Sequence, residues 1–96
     1  MGKGVQVKYH SFDENGLETI QERTVYRVYV LSIPTLNGDD DDYLIFGADQ
    51  KTNVAVPTDN LNFIEFNAKS YHLRNISDLN ICCNDIQTEI ELSNVV

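Results

Sequence analysis

The chain has little positive charge. Its 96 residues hold 7 Lys and Arg against 15 Asp and Glu, which gives a formal net charge of −8. An anionic surface repels the phosphates of nucleic acids unless it contains a basic patch, so direct nucleic-acid binding is disfavoured. Charged residues make up 23% of the chain and apolar residues 42%, which is typical of a folded domain and not of a disordered tail.

Cysteine and long apolar runs are also scarce. The two cysteines, Cys82 and Cys83, are adjacent, so they form no disulfide framework and favour a reducing compartment. The start of the chain, Met1–Val7, has no apolar signal-peptide region. The longest nearly apolar run, Val28–Ile33, is far shorter than the ~20 residues of a membrane-spanning helix. We therefore expect a cytoplasmic protein without membrane association.

Common catalytic and metal-binding motifs are missing. The chain has no G-x-S-x-G, no G-x-G-x-x-G, no P-loop, and no CxxC or HxxxH spacing. A nucleophilic pair of Cys83 and His72 would require the fold to bring them together, whereas free cysteines usually pack as small hydrophobes. An EF-hand loop starting at Asp39 needs Gly and Glu where Leu44 and Gln50 stand. The sequence predicts no enzyme, no metal site and no cofactor.

What the chain does contain is typical of β-sheet. Val, Ile, Thr, Tyr and Phe make up one third of the residues, whereas alanine occurs three times. We expect residues 1–96 to form one mostly β domain. It would be a small barrel or sandwich of about six to eight short antiparallel strands. The strand order in residues 24–66 resembles the short meanders of SH3-like barrels, so an SH3-like core is one arrangement.

Alternating residues and turn motifs place the strands. Asn15-Gly16 and Asn37-Gly38 predict tight hairpin turns. The longest strand, Thr24–Ile33, is apolar on both faces, so it is either central or bent between two sheets. The remaining strands are predicted at Val5–Tyr9, Leu17–Ile20, Tyr43–Phe46, Val54–Val56, Leu61–Phe66 and Tyr71–Arg74.

The C-terminal region allows two interpretations. Ile76, Leu79, Cys83 and Ile86 are spaced as on one helix face, with Ser77 as a candidate N-cap, so a short helix near residues 76–86 is one alternative. Three asparagines in and beside this segment argue against it. The stretch Ile86–Leu92 alternates between apolar and acidic residues, which predicts a strand with one solvated face. The open edge of such a strand could pair with a second copy in a homodimer.

The negative charge is concentrated in one segment. Residues 1–36 are neutral, residues 37–66 carry a net −6 and residues 67–96 a net −2. If the acidic turns meet at one end of the fold, they form a patch that attracts a basic protein surface. The predicted partner-binding residues are Asp39, Asp40, Asp41, Asp42, Asp49 and Asp59. The alternative role of the Asp run is to keep a loop soluble and unpaired.

Tyrosine and arginine supply a second set of candidates. These residue types dominate binding hot spots, although tyrosine also packs in the cores of small β domains. The candidate interface or ligand residues are Tyr26, Arg27, Tyr29, Tyr43 and Arg74.

Two functions follow as hypotheses. The first is an acidic protein-binding module, an inhibitor or immunity-type protein acting on a basic or nucleic-acid-handling partner. Small proteins that phages and other mobile elements use against defence systems are often of this kind. The alternative is a protein that binds or sequesters a nucleotide-like small molecule in a tyrosine-lined pocket, with Arg27, Lys51 and Arg74 as anion contacts.

Overall fold

The computed structural model describes residues 3–49 and 51–94, which form seven β-strands, one 3-10 turn and one long α-helix. In chain order the elements are β1 (Val5–Phe12), β2 (Glu18–Val25), β3 (Arg27–Pro34), β4 (Asp40–Gly47), β5 (Asn53–Pro57), the 3-10 turn Thr58–Asn60, β6 (Leu61–Phe66), β7 (Lys69–His72) and α1 (Ile76–Ser93).

The strands pair in two antiparallel sheets. The first sheet has the order β2-β1-β6-β7 and the second has the order β3-β4-β5. The mostly β class and the number of strands are confirmed. Within the described residues neither sheet closes on itself, so the chain is not a closed SH3-like barrel. Instead, the two open sheets and the helix share one core.

The long apolar segment Thr24–Ile33 is bent and serves both sheets. The first sheet's edge strand β2 ends at Val25, and the second sheet's edge strand β3 begins at Arg27. Tyr26 lies at the bend, where its backbone N–H donates to the carbonyl of Gly47 over 2.8 Å. This segment is therefore apolar on both faces because it passes from one sheet to the other, and not because it is a central strand.

The core lies between the inner faces of the sheets and helix α1. Tyr9 of the first sheet and Phe46 of the second stack with ring centroids 5.4 Å apart, which joins the two layers. The other buried members of this cluster are Val7, Val25, Val28, Leu44, Val56, Leu61, Ile64, Phe66, Leu79, Cys82, Cys83, Ile86 and Ile90.

Helix α1 covers Ile76–Ser93, so the predicted strand Ile86–Leu92 is wrong. Ile86 and Ile90 lie one helical turn apart and are both buried, whereas Leu92 is 62% exposed. The side chain of Asn75, and not Ser77, caps the helix by accepting the N–H of Asp78 over 2.9 Å. The proposed homodimer through a strand edge here loses its basis because the segment has no strand edge.

Membrane insertion by a helix has no support in the described part of the chain. None of the helices in residues 3–49 and 51–94 has the length and apolarity needed to cross a bilayer.

Candidate protein-binding face

The second sheet has one face in the core and one face turned outward. Strand alternation places Leu44 and Phe46 in the core, and their neighbours Tyr43 and Ile45 on the opposite side. We call this opposite side the outer face. Cross-strand pairs complete it with Tyr29, Leu31 and Ile33 of β3, and with Ala55 and Pro57 of β5.

The outer face exposes large apolar side chains. Tyr29 is 44% exposed, Leu31 41% and Ile33 46%. Ile45 is only 4% exposed, because it lies on the middle strand between Tyr29 and Ala55. Helix α1 packs on the inner side with the core residues, so within the described chain no element covers the outer face. Contiguous exposed apolar groups rimmed by polar ones are typical of interaction surfaces.

Five carboxylates lie at one end of the second sheet. Strand alternation places Asp41 on the outer face beside Tyr43, and Asp40 and Asp42 on the other side of β4. Asp39–Asp42 form the end of the β3–β4 turn and the start of β4, with Asp41 directly opposite Ile33. Asp59 belongs to the 3-10 turn that follows Pro57, and Pro57 pairs with Tyr43 of β4. We call Asp39–Asp42 and Asp59 the acidic rim. Asp42 is also tied to β3, since its carboxylate accepts from the Ser32 hydroxyl.

Asp49 does not belong to this rim, although it was expected there. It lies in the turn after β4, at the opposite end of a strand of eight residues that spans roughly 24 Å. Its carboxylate accepts the backbone N–H groups of Lys51 and Thr52 over 2.8 and 2.7 Å. These bonds hold the pKa of Asp49 below its usual value. Asp49 therefore stabilises a turn.

The tyrosine and arginine candidates are only partly brought together. Tyr29 and Tyr43 share the outer face, and Arg27 lies on it at the end distant from the acidic rim. Arg27 donates to Asn53 over 3.1 Å. Tyr26 lies at the bend between the sheets, and Arg74 precedes α1, where its Nε is 3.3 Å from Asp78.

Three shallow cavities occur elsewhere on the described surface, with volumes of about 280, 280 and 260 Å³. None of these three is lined by Tyr26, Tyr29 or Tyr43. One of them lies beside Tyr71 and Arg74. Tyr29 and Tyr43 thus lie on an open sheet face, and none of the candidate tyrosines lines any of these cavities.

Sequence reasoning missed a charged cluster on the outside of the first sheet. His10 of β1 is buried, yet its Nδ1 lies 2.9 Å from Glu18 of β2 and its Nε2 lies 3.0 Å from Glu65 of β6. Its ring stacks on Phe63 with a centroid distance of 3.8 Å. Glu18 also accepts from the side-chain amide of Asn62 over 3.1 Å.

Both thiols are packed in the core. Cys82 and Cys83 are free and buried on the core side of α1. Burial raises the pKa of Cys82 to about 12 and that of Cys83 to about 11. Tyr71 of β7 packs on the core, so its neighbour His72 faces the other side of the first sheet. The nucleophilic pair of Cys83 and His72 is therefore not formed.

No group of three or more His, Cys, Asp or Glu side chains in residues 3–49 and 51–94 is arranged to hold a metal ion. Comparison of the chain with protein-family models, curated proteins and solved structures found no significant match.

Proposed function

We propose that the chain is a protein-binding module that holds a basic partner against the outer face and the acidic rim. One observation carries the proposal: exposed large apolar side chains lie on a sheet face that no described element covers, with five carboxylates at one end of the same sheet. Apolar anchors give an interface its affinity, whereas surrounding charges select and steer the partner.

The small size of the outer face supports the proposal that the charged rim extends the binding surface. Three short strands spaced ~4.8 Å apart present roughly 300 Å² of surface, whereas a stable interface buries about 800 Å² on each partner. The apolar face alone is therefore less than half of a standard interface. The carboxylates at this end of the sheet extend the contact area, and those that binding removes from water require a donor or a cation from the partner.

Charge favours a basic partner over a second copy of this chain. Each copy has a net charge of −8. Two outer faces packed together would bring ten rim carboxylates into one assembly, and each like-charge approach opposes association. A cationic protein surface meets attraction at the same positions. This complementarity fits an inhibitor or immunity-type protein whose carboxylates occupy a groove that otherwise binds phosphate groups.

The test compares two variants that each remove two exposed apolar side chains. One carries Leu31→Ser and Ile33→Ser on the outer face; the control carries Leu17→Ser and Ile20→Ser at the exposed first hairpin. Both variants and the unmodified chain are used to capture proteins from lysate of the source cells, and the captured proteins are quantified by mass spectrometry. Thermal melting confirms that each variant is folded.

We expect the unmodified chain and the control to enrich the same basic protein, and the outer-face variant to recover at least about tenfold less of it. Purified partner and variants should then reproduce the order in a direct binding measurement. The proposal is wrong if the outer-face variant binds as well as the control, or if only the control loses the partner.

A further inference from the structure

His10 joins three neighbouring strands of the first sheet. Strand β1 provides His10, the edge strand β2 provides Glu18 and β6 provides Glu65. The two carboxylates approach opposite nitrogens of one ring, and Phe63 packs against its face with planes 21° apart. The His10 side chain is 9% exposed, whereas each carboxylate reaches solvent.

This geometry requires a proton on each ring nitrogen. A neutral imidazole has one N–H donor and one acceptor, whereas the protonated ring has two donors. Ionised carboxylates only accept, so only the protonated ring can bond Glu18 and Glu65 together. A cationic ring over Phe63 also gains from the negative face of the aromatic system.

We propose that His10 is a pH-operated clamp in which the protonated ring ties β2 and β6 to β1, and loss of the Nε2 proton releases Glu65 while the bond to Glu18 remains. Glu18 stays in place because Asn62 also donates to it over 3.1 Å. Glu65 accepts only from His10 within the described residues, and the cationic residue Lys8 is its register partner on β1.

The charged surroundings favour the protonated state. On this face of the sheet Lys8 precedes His10 on β1, β2 adds Glu22, and β7 adds His72 with its ring 5.5 Å from Phe63. Helix α1 packs on the opposite face of the sheet. Burial by itself would lower the pKa of His10, but the hydrogen bonds and charges of Glu18 and Glu65 outweigh it and raise the pKa above 6.5.

The direction of each shift defines the pH range of the clamp. A raised pKa means that the contribution of His10 to stability is complete below pH 6.5 and is lost as the pH rises through the folded-state value. The hydrogen bond from His10 lowers the pKa of Glu18 from 4.5. The contribution of Glu18 to stability is therefore complete above pH 4.5 and is lost as the pH falls through the lower folded-state value. The stabilisation from the clamp is therefore complete between about pH 4.5 and pH 6.5, and it is lost outside this range as the pH passes each folded-state pKa.

The test follows the ring nitrogens of His10 by ¹⁵N NMR from about pH 5 to about pH 9. A His72→Gln variant leaves His10 as the one histidine, so its signals need no further assignment. We expect both nitrogens protonated at low pH, a midpoint above 6.5, and a neutral ring with the proton on Nδ1. A midpoint at or below 6.5, or a neutral ring protonated on Nε2, would overturn the proposal.

Two carboxylate variants test whether His10 responds to the carboxylate bonded to its ring or to the net charge of this sheet face. Glu65→Gln removes the charge bonded to Nε2, and the matched control Glu22→Gln removes a charge from the same face that does not bond the ring. Glu65→Gln should lower the midpoint by roughly 0.5–1 on the pH scale, and Glu22→Gln by clearly less. Equal shifts would mean that His10 senses net charge only. The clamp lies on the first sheet and is independent of the proposed partner.

Discussion

Ala68 has a backbone conformation that favours glycine or asparagine. In the turn between β6 and β7, Asn67 has φ 52° and Ala68 has φ 62°. Positive φ at both central residues is typical of a type I′ hairpin turn, where asparagine followed by glycine is the preferred pair. The methyl group of alanine makes this conformation strained, so the turn is a local weak point in the fold.

We expect Ala68→Gly to raise the free energy of unfolding by about 1 kcal/mol, because the relief of left-handed strain exceeds the entropy cost of glycine. The matched control is Ala55→Gly on β5, where alanine has ordinary strand geometry. That control should lose about 0.5–1 kcal/mol. Urea denaturation measures both. If Ala68→Gly also lost stability, the turn would not be strained.

Single residues show which features could be predicted from the sequence and which could not. The alternation of Val5, Val7 and Tyr9 correctly identified the core side of β1. His10 was missed because its partner Glu65 is 55 residues distant, and only the pairing of β1 with β6 brings the two together. No local pattern carries that information.

Elements were predicted best where the pattern had a single interpretation. The two Asn-Gly turns were placed correctly, with Gly16 at φ 78° and Gly38 at φ 87°, but each hairpin loop has five residues and is not a tight turn. The bend at Tyr26 remained one of two alternatives, because a central strand and a strand shared by two sheets are both apolar on both faces. At Ile86–Leu92 the alternation of apolar and acidic residues suggested a strand, but the preceding three-and-four spacing continues to Ile90 and extends the helix.

Two alanine substitutions test the helix directly. A strand would place Ile86 and Leu92 on the same face, whereas α1 buries Ile86 completely and leaves Leu92 exposed. Ile86→Ala should reduce the free energy of unfolding by about 2–5 kcal/mol through the cavity it leaves. Leu92→Ala should change it by less than about 0.5 kcal/mol. Similar losses in a thermal or urea melt would contradict the helical assignment.

At the scale of the whole molecule, the sequence showed which segment carries the negative charge, but not where its carboxylates lie in the fold. The net −6 of residues 37–66 could be counted, and the acidic rim lies in that segment. The position of Asp49 at the other end of β4 depends on how the strands pair. The exposure of Tyr29, Leu31 and Ile33 was equally hidden, because an apolar strand face looks the same in the sequence whether or not another layer covers it.

The central claim is that the acidic rim attracts the partner. The effect of removing negative charge on association should therefore depend on whether the charge lies in the rim. A rim variant carries Asp39→Asn, Asp40→Asn and Asp41→Asn. Its matched control carries Glu14→Gln, Glu22→Gln and Glu91→Gln, which removes the same amount of charge outside the rim. Each variant has three fewer negative charges than the unmodified chain.

The most direct measurement is the rate of association with the captured partner as a function of salt concentration. Rim charges that steer encounter should make the unmodified chain and the control bind fast at low salt and more slowly as salt rises. The rim variant should associate about tenfold more slowly at low salt, with a flatter dependence on salt. Equal rates and equal salt dependence for the rim variant and the control would contradict the claim.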